Sequence, residues 1–115
     1  MNEQLRDRHC RKMEKGSLAL EDAVARALLT QIHPDWQYSN DTANIERTFH
    51  FRNFYETIAF VNALAWIAHS EDHHPDLEVT YNRCRVRYST HAAAGLTEND
   101  FICAAKIDAL LTGAD

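Results

Sequence analysis

The stretch from Asn53 to Pro75 constrains the fold most, because it carries a start signal, a long helical pattern and a stop. Asn53 with Glu56 three residues on has the form of a capping box, in which each end satisfies a free backbone N–H of the first turn. Phe54, Ile58, Val61, Ala65 and Ala68 then recur at helical spacing, which predicts a helix to about Glu71 with that stripe facing a core. Pro75 disfavours helical geometry at His74, so His73 and His74 are expected where the helix gives way to extended chain. Such a junction holds side chains firmly and leaves them reachable.

Both flanks of this helix show the two-residue alternation of strands. Residues 36–39 (Trp36 to Ser39) and 45–51 (Ile45 to Phe51) are separated by the turn-prone Asn40, Asp41 and Thr42. In the second run Ile45, Arg47, Phe49 and Phe51 alternate with Glu46, Thr48 and His50. Residues 78–81 and 83–89 predict a second hairpin, with Cys84, Val86 and Tyr88 on one face and Arg83, Arg85 and Arg87 on the other. Upstream, Ser17 is positioned to cap a helix through Leu20, Val24, Ala27, Leu28 and Ile32, with Glu21 and Asp22 near its positive end and Pro34 as its limit. Downstream, Leu96 and Phe101 form a hydrophobic-staple pair around a Thr97 cap with Asp100 at the third helical position. Ile102, Ala105, Ala109 and Leu110 are the expected buried stripe and Gly113 the exit. Helix, hairpin, helix, hairpin, helix predicts an α+β fold: two layers, a four-stranded antiparallel sheet with three helices packed on one face.

A chain of 115 residues suits one domain, read as a polar, frayed leader over residues 1–16 and a single domain over 17–115. Its 45% apolar and 25% charged residues exclude collagenous, low-complexity and disordered classes. Seventeen acids against twelve Lys and Arg leave a net charge of −5, which offers no footprint for nucleic acid or an anionic membrane. The Arg83, Arg85, Arg87 stripe lacks interleaved aromatics and reads as a solvated or subunit-facing surface. Cys10, Cys84 and Cys103 are odd in number and show no C-x-x-C spacing, which fits a reducing compartment. With no signal-peptide pattern and no run of eighteen apolar residues, a cytoplasmic protein is expected.

Four of the seven histidines, His69, His73, His74 and His91, fall within a span of 23 residues. Imidazoles titrate near neutrality, so a cleft lined by two or three of them suits proton exchange with a substrate. The spacing also admits a metal site through His69 and His73, one helical turn apart, although no H-E-x-x-H motif or carboxylate set accompanies them. It admits a purely structural role at the helix end as well. Asp72 suits orienting a neighbouring imidazole or standing in solvent, and Asp100 suits the Thr97 cap. Trp36 and Trp66 read as core, and Cys84 and Cys103 as inert buried thiols. Neither a glycine-rich phosphate loop nor a G-x-S-x-G elbow is present.

The segment Glu71, Asp72, His73, His74, Pro75, followed by Tyr81, by Ser89, Thr90 and His91, and by Gly95, Leu96 and Asp100, resembles the pterin-4a-carbinolamine dehydratase family in its bacterial form. The likeness extends to Pro34, Asp35 and Trp36, to residues 49–54, and to residues 99–105, and covers about residues 17 to 111.

That resemblance implies a hydro-lyase that dehydrates 4a-hydroxytetrahydrobiopterin to quinonoid dihydropterin and water, recycling the pterin of aromatic amino acid hydroxylases such as phenylalanine hydroxylase. It implies a homodimer or homotetramer, and neither metal nor cofactor. By position, His73, His74 and His91 match the family's active-site histidines, with His73 and His91 expected to move protons and His74 to bind and orient. Asp72, Ser89, Thr90 and Ala92 match residues lining the pterin site. His69 stands where the family often has an acid; either a second imidazolium there pulls the pKa of His73, and the pH optimum, downward, or His69 stays neutral at the surface. His69 and Asp100 are thus supporting candidates. Animal relatives also act as dimerisation cofactors for a transcription factor, so the alternative is a non-catalytic pterin-binding or interaction module.

Overall fold

The computed structural model describes residues 4–112. Four strands, β1 (Gln37–Ser39), β2 (Asn44–His50), β3 (Asp76–Val79) and β4 (Arg83–Tyr88), form one antiparallel sheet in the order β1-β2-β4-β3. Three helices, α1 (Asp22–Leu29), α2 (Phe54–Glu71) and α3 (Glu98–Thr112), complete the expected α+β order.

Register explains the layers. Ile45 stands opposite Tyr88, Arg47 opposite Val86 and Phe49 opposite Cys84, so these six side chains share one face. Ile45, Phe49, Cys84, Val86 and Tyr88 join Phe60 and Leu64 of α2 and Phe101, Ile102 and Ile107 of α3 in a single core. On the other face Arg85 pairs with Glu78 and Arg87 with Glu46, cross-strand neighbours that neutralise much of the basic stripe. Arg47 points inward: its Nη1 lies 2.6 Å from Asp108 Oδ1 and its guanidinium sits over the Phe49 ring, while its buried Nε has no hydrogen-bond partner among the described residues. Asp108 also accepts from Trp36 Nε1 and from the His33 backbone N–H, tying α3 to β2 and to the loop before β1.

Three local expectations are corrected. The first helix begins at Asp22, not after Ser17, because the Leu20 N–H is used by the Leu96 carbonyl; of its apolar residues only Ala25 is buried, and Val24 is exposed. In α2 the buried face is Thr57, Phe60, Leu64 and Ala68, while Phe54 is half exposed and Trp66 is 70% exposed rather than core. Apolar residues surround this helix on every side, so periodicity alone could not choose its inner face. In α3 the buried set is Phe101, Ile102, Cys103, Ala104 and Ile107, with Leu110 toward solvent. Gly113, the expected exit, lies outside the described residues.

Residues 5–16 follow a defined path beside α3. Leu5 enters the core, the Lys106 ammonium donates to the Arg6 carbonyl, and the Gly16 N–H donates to the Ala92 carbonyl.

Candidate active site

The site forms where α2 ends. Asp72 adopts the left-handed conformation (φ 52°, ψ 43°), its N–H bonds to the His69 carbonyl, and the His73 N–H reaches back to Ala68. Those two bonds make a Schellman closure, which turns the chain sharply before Pro75 commits it to β3. His73 is thereby delivered onto the core, and His74 toward solvent.

His73 is the most constrained of the candidates. Its Nε2 lies 2.6 Å from Asp100 Oδ1, its ring stacks on Tyr88 with centroids 5.1 Å apart, and its carbonyl accepts from the Tyr88 hydroxyl. Asp100 has no exposed surface, and its Oδ2 accepts from Thr90 Oγ1 at 2.8 Å and from the Thr97 backbone N–H at 2.9 Å. The Thr97 and Thr90 hydroxyls are also hydrogen-bonded to each other. Asp100 is thus both the helix cap and the partner of a site histidine. Burial works against the His73 imidazolium, but the hydrogen bond and negative charge of Asp100 outweigh it and hold the pKa above its ordinary value. The downward pull expected from His69 is not what governs His73: His69 faces solvent beside Trp66. The carboxylate fixes the Nε2–H tautomer, which leaves Nδ1 as the nitrogen able to exchange a proton.

The third histidine arrives from β4. Thr90 and Gly95 exchange backbone hydrogen bonds in both directions, closing a short loop whose 3-10 turn, His91–Ala93, carries His91 at its tip. Only glycine fits at the neck, since a Cβ on Gly95 would lie 2.8 Å from Ala19 Cβ. Asp72, His73, His74, Ser89, Thr90, His91 and Ala92 all line one pocket of about 310 Å³. The seven expected binding residues are therefore brought together, whereas His69 is outside the pocket lining and Asp100 lies beneath it. A larger hollow of about 480 Å³, bordered by Leu5, Ile32 and Asp108, contains none of them. Among the described residues no three His, Cys, Asp or Glu side chains converge as a metal-ligand set, and no helix is long and apolar enough to cross a membrane.

Asn99, part of the family likeness but given no site role there, and residues 11–13, which carried no signal in the sequence, also line this pocket. The Asn99 side chain brackets Arg11, accepting from its N–H and donating to its carbonyl, through backbone groups to which residue type gives no clue. Cys10 Sγ lies 3.5 Å from Cys103 Sγ; this contact, against burial, holds the Cys103 thiol below its usual range.

Residues 18–110 match the family model described as pterin 4 alpha carbinolamine dehydratase. The chain belongs to this family. A Legionella pneumophila (strain Corby) protein, provisionally named pterin-4-alpha-carbinolamine dehydratase, is 55% identical over 111 residues, spanning 96% of this chain and 98% of that one. A Nitrosomonas eutropha protein with the same provisional name is 55% identical over 93% of each chain. The crystal structure of a transcriptional coactivator/pterin dehydratase from Brucella melitensis matches with a TM-score of 0.76 at 32% identity, covering 80% of this chain and 97% of that one. A pterin dehydratase-like protein identified as a RuBisCO assembly factor shares the fold, with a TM-score of 0.59 at 23% identity over 68% of this chain and 90% of that one.

Proposed function

We propose that this protein is a 4a-hydroxytetrahydropterin dehydratase, a hydro-lyase working by histidine acid/base catalysis. The observation that carries the reading is the buried His73–Asp100 pair at the wall of a pocket that His74 and His91 also line. In the reaction the C4a–O bond breaks as the hydroxyl takes a proton and leaves as water. The adjacent ring nitrogen supplies the electrons for the new double bond and gives up its own proton, so no net proton is consumed. Each transfer by a positioned group contributes ~10²–10⁴-fold.

His73 is the acid, because Asp100 keeps its imidazolium populated to higher pH. His91, exposed at a loop tip, is the base, and His74 orients the heterocycle. Asp72, Ser89, Thr90 and Ala92 offer short polar and backbone groups to the planar ring. The physiological setting is pterin recycling behind an aromatic amino acid hydroxylase, in the cytoplasm, with the protein acting as a homodimer or homotetramer. The edge strand β3, with Leu77 and Val79 partly exposed on it, is a suitable surface for self-association.

Stopped-flow absorbance of freshly generated 4a-hydroxytetrahydropterin, with and without protein, tests the reading. Accelerated decay to quinonoid dihydropterin is expected. Decay at the uncatalysed rate with folded protein overturns it and favours the coactivator role that the Brucella protein's name also carries.

A further inference from the structure

We propose that residues 10–13 are a working wall of the pocket, and that Arg11 and Lys12 select a pterin whose ring substituent carries a negative charge, a carboxylate or a phosphate monoester. The inference rests on the dehydratase reading and departs from it in one respect, replacing the uncharged side chain of biopterin with an anionic one.

Arg11, Lys12 and Met13 border the same pocket as His73, His74 and His91, yet they precede the family-matched region. The backbone is clamped at Cys10 and Arg11. Asn99, only 4% exposed, makes both hydrogen bonds to Arg11 at 3.0 and 2.7 Å, and Glu71 Oε1 accepts from the Cys10 N–H at 2.7 Å. The clamped main chain fixes where these side chains leave the backbone at the pocket wall.

Arg26, Arg52, Arg85 and Arg87 each pair with a carboxylate. Arg11 and Lys12 are in no ion pair or side-chain hydrogen bond among the described residues, although the whole chain carries a net charge of −5. Asp72, the one carboxylate lining this pocket, is bonded to neither. The bicyclic ring is uncharged, whereas an anionic ring substituent would complement two adjacent cations on the pocket wall.

Oxidised pterins are fluorescent, so anisotropy titrations can compare neutral 6-hydroxymethylpterin with pterin-6-carboxylate and 6-hydroxymethylpterin monophosphate. The proteins to compare are wild type and Arg11→Gln/Lys12→Gln, with circular dichroism as the check on folding. For wild type at low salt, an anion-to-neutral affinity ratio of about five or more is expected, the size that two exposed ion pairs supply. In the double variant, and in ~0.5 M salt, the ratio should fall to about one. A preference for the monophosphate alone assigns the phosphate ester; equal preference for both anions assigns a general anion site. A wild-type ratio near one, or a preference that survives the double substitution, overturns the proposal while leaving the dehydratase reading intact. Failure of wild type to bind any of the three pterins overturns both.

Discussion

His73 Nε2 and Asp100 Oδ1 lie 2.6 Å apart, and the aspartate that holds the histidine is the same one that caps α3 through its other oxygen. One carboxylate therefore sets the start of a helix and the tautomer and charge of a pocket residue at once.

Asp100→Asn keeps the shape and removes the charge. With burial no longer opposed, the His73 pKa is expected to fall below its ordinary value in an NMR titration, and the alkaline limb of the rate profile to move to lower pH. The stability consequence has a sign. His73 has a raised folded-state pKa, so its contribution is fully present below the unfolded value near 6.5 and is lost as pH rises through the folded one. The stability gap between wild type and Asp100→Asn should then be larger at about pH 5.5 than at about pH 9 in urea unfolding. An equal gap at both pH values would contradict the pairing.

His73→Ala and His91→Ala should separate folding from chemistry. Both are expected to slow dehydration by ~10²-fold or more. Only His73→Ala should also cost stability, about 1–3 kcal/mol, because it strands one oxygen of a fully buried carboxylate. His91 is exposed, so its variant should melt like wild type. Wild-type rates in both variants would sink the acid/base assignment.

Asp72→Gly is expected to trade affinity for stability. The left-handed backbone at Asp72 (φ 52°) suits glycine better, which favours the variant by about 0.5 kcal/mol in thermal or urea unfolding. The lost carboxylate borders the pocket, so pterin binding should weaken in the same protein. A variant both less stable and tighter-binding would refute this account of the turn.

Asp108 supports a different part of the molecule. Asp108→Ala leaves the Arg47 guanidinium, the Trp36 indole N–H and the His33 N–H without their acceptor, and about 3–5 kcal/mol should be lost. Arg47→Met should cost less, since Asp108 keeps its other two donors. Chemical unfolding of the two variants and of the double variant measures the coupling directly.

Most of the frame was readable because its determinants are local. Pro75 marked the junction, Thr97 with Asp100 marked the start of α3, and alternation marked both hairpins. The family pattern named the seven pocket residues. What was not legible depended on partners distant in sequence. The inner face of α2 is chosen by what packs on it, since Phe54, Trp66 and Phe60 look alike to a periodicity argument and only Phe60 is buried among them. The late start of α1 follows from Leu96 taking the Leu20 N–H. Residues 10–13 read as part of a polar leader because they are held through main-chain groups, and nothing in the sequence links Arg47 to Asp108, 61 positions away.

The neck between Thr90 and Gly95 has one more consequence. Its two backbone bonds and the tight seat of Gly95 against Ala19 lie below the loop's tip. The frame is therefore closed before the side chain of His91 is reached, and that exposed side chain carries no share of holding sheet and helix together. The tip is a socket on a finished chassis, so its side chain can be exchanged at no cost to the fold.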